Sequence, residues 1–201
     1  MLEDLVAKHP NNKMYRGDLV FGLVQAYHLY TRLNRPTDAE PALKRALAIG
    51  GQMRDAEPAI IERSRALVEV LEAYTLLCEA NGRPNRAVEQ LDRIVTTYTP
   101  WTKLASRSDE VNSAMLRASR RSAEISSRLG DNPGAARRLA LAVDLCKPED
   151  QAKVQLELAA ALVAAGDHDG AKAAAKKANV GETAPDAVRF LNSLEEKPGG
   201  P

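Results

Sequence analysis

Aromatic residues are scarce in this chain, at 4% of 201 residues, and cysteines number only two. So few rings cannot build a thick aromatic core. The apolar material that is present, 44% of residues and rich in Ala and Leu, suits thin helices packed closely through small side chains. It also argues against disorder along most of the length. Cys78 and Cys146 each stand in an apolar stretch with no second Cys or His at ligand spacing. Buried free thiols are therefore expected, not a disulfide or a metal site. A surplus of one charge is missing too: 28 Lys and Arg face 27 Asp and Glu, a net of +1. No overall field recruits nucleic acid or an anionic membrane. No run approaches the roughly 20 apolar residues that span a bilayer. Residues 1–13 carry acidic side chains where a signal peptide needs cations, and they lack an apolar run. The expectation is a soluble, cytoplasmic protein.

Catalytic constellations are also absent. His9, His28 and His168 are scattered over different elements. His9 at a helix end and His168 in a turn are expected to face solvent. There is no paired Cys-x-x-Cys, no His-Glu-x-x-His and no Gly-Lys-Ser/Thr phosphate loop. Gly50-Gly51 reads as a helix end or hinge. The acidic pairs Asp109-Glu110 and Glu149-Asp150 stand at predicted helix starts, where they complement the helix dipole. No enzyme activity, no cofactor and no metal are expected.

What is present is a repeat. Four segments share one pattern: Leu-Asn-Arg-Pro-Thr-Asp-Ala from Leu33, Asn-Gly-Arg-Pro-Asn-Arg-Ala from Asn81, Leu-Gly-Asp-Asn-Pro-Gly-Ala from Leu129 and Ala-Gly-Asp-His-Asp-Gly-Ala from Ala165. Each joins two amphipathic runs. Anchored on Asn34, Gly82, Gly130 and Gly166, the spacings are 48, 48 and 36 residues. Gly or Asn after a helix can take the left-handed conformation that closes its last turn. Pro36, Pro84 and Pro133 follow, each able to start the next helix but not to continue the last. Five residues after each anchor comes Ala39, Ala87, Ala135 or Ala171, where two antiparallel helices come closest and a larger side chain would part them. Leu43, Leu91, Leu139 and Ala175 follow at four further, then Ala46, Ile94, Ala142 and Ala178 at three more, all on one helical face.

Anchor, Ala, Leu and Ala at these offsets resemble the tetratricopeptide repeat over residues 14–180. The second-helix half carries the match. In the first-helix half, where that family has Trp, Leu, Gly and Tyr, the first unit has Leu23, Ala26, Tyr27 and Tyr30, and the third has Ser119, Ser122, Ala123 and Ser126. The long units, with Asp-Leu-Val-Ala-Lys-His-Pro-Asn-Asn before Tyr15-Arg16, are similar to extended kinesin-light-chain-like repeats of bacterial multi-repeat proteins. The resemblance implies an all-α fold, a right-handed superhelix of stacked antiparallel helix pairs. Four pairs are expected over 14–180: 14–33 with 37–49, 58–81 with 85–98, 109–129 with 134–146, and 149–165 with 169–179. Asp55 before Pro58, and Ser108 before Asp109, read as N-cap signals. A capping helix near 185–195, inside a cap region 181–196, would begin close to Pro185 and turn Phe190 and Leu191 back onto the stack. Residues 197–201 are expected to fray. Residues 1–13, with Leu2, Leu5 and Val6, form either an N-terminal stub or the end of a preceding repeat in a longer array.

The resemblance also implies a concave groove lined by the first helix of each pair. Its residues would be Phe21, Val24, His28 and Thr31, then Glu69, Glu72, Leu76 and Glu79. Arg117, Arg120, Glu124 and Ser127 follow, with Arg121 alongside, and then Lys153, Leu156, Ala160 and Val163. Arg117, Arg121 and Arg128 share a stripe by their spacing. They either grip an acidic or phosphorylated segment of a partner or pair with Glu124 and the second unit's glutamates. The family's carboxylate clamp would fall on Val24, His28, Ala73, Arg117 and Arg121, of which only the two arginines suit it. Phe21 and Val24 would give the groove an apolar end. Trp101 either contacts a partner or plugs a gap between helices. The implied function is a non-catalytic scaffold that holds a protein or peptide, with no nucleic acid and no membrane. The alternatives are the regulatory repeat region of a larger signalling enzyme, such as a Ser/Thr kinase, and self-association through Leu2, Leu5 and Val6.

Overall fold

Each of the four repeated segments is a helix-to-helix bend of one design. In the computed structural model, which describes residues 1–103, 108–179 and 184–195, Asn34, Gly82, Gly130 and Gly166 have φ of 53°, 63°, 81° and 82°. At each bend the following amide reaches back five residues. Arg35 N donates to Tyr30 O and Arg83 N to Cys78 O, both at 2.8 Å, while Asp131 N donates to Ser126 O and Asp167 N to Leu162 O at 2.9 Å. The anchor amide itself bonds three residues back, to Thr31, Glu79, Ser127 or Val163. This pairing satisfies carbonyls that a helix end leaves orphaned, and it needs the left-handed anchor. In the third and fourth bends the Asp after the glycine also caps the next helix. Asp131 accepts from Gly134 N at 3.0 Å and Asp167 from Gly170 N at 2.8 Å. A Cβ on either glycine would collide with its capping carboxylate.

The described residues are helical apart from these and other short connections. The helices are α1 (Leu2–Lys8), α2 (Lys13–Arg32), α3 (Pro36–Ala56), α4 (Ile61–Ala80), α5 (Pro84–Tyr98), α6 (Ser108–Arg128), α7 (Asn132–Leu145), α8 (Pro148–Ala164), α9 (His168–Ala178) and α10 (Ala184–Glu195), with one 3-10 turn at Thr99–Trp101. Acidic residues occupy the first turns of α6 and α8, as the dipole favours.

The chain divides into two compact units, Met1–Trp101 and Thr102–Pro201. In the first, α2 pairs with α3, α4 pairs with α5, and α4 also packs on α3 and α2. Ala39, Leu43 and Ala46 are fully buried, and so is Ala87. The short α1 lies on α2, where Leu2 Cδ1 comes within 3.3 Å of where a Cβ on Gly22 would stand. Its Glu3 pairs with Arg45 of α3. Trp101 is a plug: it is buried, and its indole Nε1 donates to Ser64 Oγ at 3.1 Å. In the second unit α6 pairs with α7, α7 packs on α8, and α8 pairs with α9. One core joins Ala123, Ala135, Leu139, Ala142, Val143, Val154 and Ala161. A second joins Ala159, Ala174 and Ala175, and Phe190 and Leu191 of α10 pack onto it.

Two local expectations are corrected. Gly50-Gly51 does not end α3, which continues to Ala56. Gly50 lies against α4, where an added Cβ would meet Leu67 at 3.6 Å, and Met53 beyond it is buried. The pair is a close-contact surface, and the tertiary burial of Met53 carries the helix past two weak helix formers. Asp55 is consequently inside α3 and caps nothing; α4 starts after Ile60 with no side-chain cap. The tail at residues 197–201 lies outside the described residues, as does the capping side chain expected at Ser108.

Candidate functional site

The solvent side of α6 is made by spacing. Small residues, namely Ala118, Ser119, Ser122, Ala123 and Ser126, are buried along one side of the helix. The opposite side is left to Arg117, Arg121, Glu124, Ser127 and Arg128, which solvent reaches. These residues, with Leu116, Arg120, Ala123, Ala135 and Leu139 of α6 and α7 and Glu157, Ala160 and Ala161 of α8, line a cleft of about 950 Å³ in the second unit. Its floor is apolar and its rim is charged. Four arginines and two glutamates on the lining leave a surplus of two positive charges.

The ion pairs across the rim are specific. Arg120 grips Glu157 in a two-pronged arrangement: Nε donates to Oε2 at 3.0 Å and Nη2 to Oε1. This bond ties α6 to α8. Arg121 Nη1 donates to Glu124 Oε2 at 2.8 Å, and Arg128 Nη2 stands 3.8 Å from the other oxygen of that carboxylate. Arg117 makes no ion pair among the described residues. The pairs at Glu124 are exposed on both sides, so each stabilises by only about 0.2–1 kcal/mol.

The other expected groove residues are placed as follows. Ser127 and Ala160 line the cleft, whereas Lys153 is exposed but outside it, and Leu156 and Val163 are half-buried outside it. Phe21, His28 and Thr31 of α2 and Glu69, Glu72 and Leu76 of α4 are exposed in the first unit, and Glu79 is half-buried there. Val24 is 7% exposed and packs inside the unit, so it offers no groove surface. Glu157 was not foreseen. It lies 37 residues from its arginine, and no local spacing signals such a partner.

Burial pushes the Cys78 and Cys146 thiols up from the usual range, which keeps them protonated, and Cys146 Sγ donates to Val143 O at 3.2 Å. Neither is an activated nucleophile. Glu40 of α3 accepts from Lys44 and Arg83, which hold its carboxyl below the ordinary carboxylate range, and Tyr74 of α4 also reaches it, at 3.4 Å. Lys13 and Arg63 do the same to Glu57. Among the described residues no group of three His, Cys, Asp or Glu is disposed to hold a metal ion, and no helix is long and apolar enough to cross a membrane.

No family model matches the chain and no curated protein matches it. Solved structures do. A kinesin light chain of nearly identical TPR-like repeats from Podosopora anserina is 19% identical, with a TM-score of 0.51 over 90% of this chain and 87% of that one. A variant of that protein gives 15% and 0.48 over the same shares. A thermophilic TPR protein in Thermus thermophilus gives 18% and 0.33 over 97% and 86%. The four Schellman-type bends, the buried alanines after them and the likeness to the first of these structures agree: the chain has the all-α fold of tetratricopeptide-like repeat proteins.

Proposed function

We propose that the protein is a non-catalytic interaction module, and that the cleft between α6, α7 and α8 takes an anionic group of a protein or peptide segment. The observation that carries this reading is the surplus of two positive charges above an apolar floor. Guanidinium groups match carboxylate and phosphate geometry with paired bonds, and the floor of Leu116, Ala135 and Leu139 can receive an adjacent aliphatic side chain. The segment's carboxylate or phosphate meets Arg117 first and then competes with Glu124 for Arg121 and Arg128. Arg120 stays with Glu157 and holds the wall. A repeat stack supplies such a surface without chemistry of its own.

The test is charge reversal. Arg117→Glu with Arg121→Glu is expected to abolish capture of an acidic or phosphorylated peptide while the melting curve stays in place, because solvent reaches both side chains. Unchanged capture by the double variant rejects the cleft as the site. Comparing the phosphorylated peptide with its carboxylate counterpart identifies which anion is preferred.

A further inference from the structure

In the first unit α3 covers a side of α4 whose counterpart on α2 is left half open. One register runs through the unit: α1 ends at Lys8 and α2 begins at Lys13, and 48 residues later α3 ends at Ala56 and α4 begins at Ile61. By that register α1, of seven residues, matches only the end of α3, of twenty-one. The side of α4 that carries Val70, Tyr74 and Leu77 is buried, and α3 packs on α4. Polar contacts fix α3 in place. Tyr74 reaches Glu40 at 3.4 Å, and Arg83 Nη1, at the start of α5, grips both oxygens of that carboxylate at 2.9 and 3.0 Å. On α2 the matching places hold Gly22, Ala26 and Leu29, and Arg35 stands where the second bend has Arg83. Leu2 of α1 comes up against Gly22. Further along, Leu29 is 53% exposed, against 5% for Leu77, and Leu33 is 56% exposed. Spacings of four, three and four put Gly22, Ala26, Leu29 and Leu33 on one side of α2, about a quarter turn from Phe21 and His28. Arg35 gives Nε and Nη2 to Asp38, where the second bend has Arg86. Its Nη1, the atom that Arg83 uses for Glu40, has no partner among the described residues.

We propose that this side of α2 docks a helix of a partner protein, one that lies in line with α1 and presents an apolar seam beside a carboxylate. The seam covers Leu29 and Leu33, two large groups that solvent otherwise wets. The carboxylate meets Arg35 Nη1 as Glu40 meets Arg83. The occupant is a helix because the same side of the next register, on α4, is complementary to one: a ridged helix surface receives the ridges of another. A second copy of this chain cannot offer its α3, whose Ala39, Leu43 and Ala46 are buried in its own unit. The surface lies wholly within the first unit, so this inference does not depend on the arginine cleft.

The probe is a labelled peptide of residues 36–49, the part of α3 that α1 does not match, blocked at both ends and titrated by fluorescence anisotropy against the full chain. Saturable binding is expected. Leu29→Glu is expected to weaken it at least about tenfold, ~1.4 kcal/mol, and Leu33→Ser to weaken it less, with thermal melts confirming that both variants fold. His28→Ala, around the helix from the seam, is expected to leave binding unchanged. Arg35→Glu is expected to make the chain prefer a peptide carrying Glu40→Lys over the parent peptide, the reverse of the unaltered chain's preference. Failure to bind, indifference to Leu29→Glu, a loss with His28→Ala as large as with Leu29→Glu, or no reversal with Arg35→Glu overturns the proposal. So does light scattering that shows the chain self-associating through Leu29, because the occupant is then a second copy.

Discussion

At the scale of the residue, the fold turns on side chains that are small. Ala39, Ala87 and Ala171 have no exposed surface, and Ala135 has almost none. Each sits where the second helix of a pair touches the first, and interiors are packed densely enough to feel one added methylene. Ala87→Leu is therefore expected to lower stability by about 1–3 kcal/mol through overpacking, read as a fall in melting temperature. An unaltered melt would mean that α4 and α5 do not meet there. These positions were readable in the sequence because contact at a fixed offset from a bend permits little but Ala. Val24 and Glu72 show where such reading stops. They hold equivalent places before their anchors, yet one is buried and the other exposed. Only the neighbours that arrive from elsewhere in the chain decide that.

At the scale of the element, boundaries set by local chemistry were legible and boundaries set by packing were not. The bends at Asn34, Gly82, Gly130 and Gly166 follow from left-handed anchors and the amides behind them. The end of α3 depends on Met53 finding a buried place, so the Gly50-Gly51 pair misled. Elements are also joined by ion pairs that titrate. Glu40 of α3 is held below its ordinary pKa by Lys44 and by Arg83 at the start of α5, and Glu57 by Lys13 and Arg63. A carboxylate depressed in the folded state contributes stability above its unfolded pKa and loses it as pH falls through the folded value. The melting temperature is therefore expected to fall on acidification below about pH 4.3, the ordinary carboxylate value. Glu40→Gln is expected to flatten that acid limb, a difference visible in melts recorded from neutral pH downward.

At the scale of the whole molecule, the near-zero net charge conceals a local surplus of arginine. The cleft of the second unit is lined by four arginines and two glutamates. Raising salt from about 0.1 M to about 1 M shortens the screening length from roughly 10 Å to 3 Å. Capture of an anionic peptide is expected to weaken over that range in titrations at each salt concentration, while the melting temperature, carried by alanine and leucine burial, changes little.

The sequence alone determined the helix pairs, their bends and the face each second helix buries. Those depend on backbone conformation and on contacts a few residues apart, and both leave periodic traces. The stripe of Arg117, Arg121 and Arg128 was equally legible, because it lies on one helix. That the stripe borders a cleft, that Glu157 closes one wall through Arg120, and that Val24 is withdrawn from the surface were decided only by tertiary structure. Each depends on residues that are distant along the chain and are brought together by packing, and the spacing of residues along one helix records nothing of the helix that will lie against it.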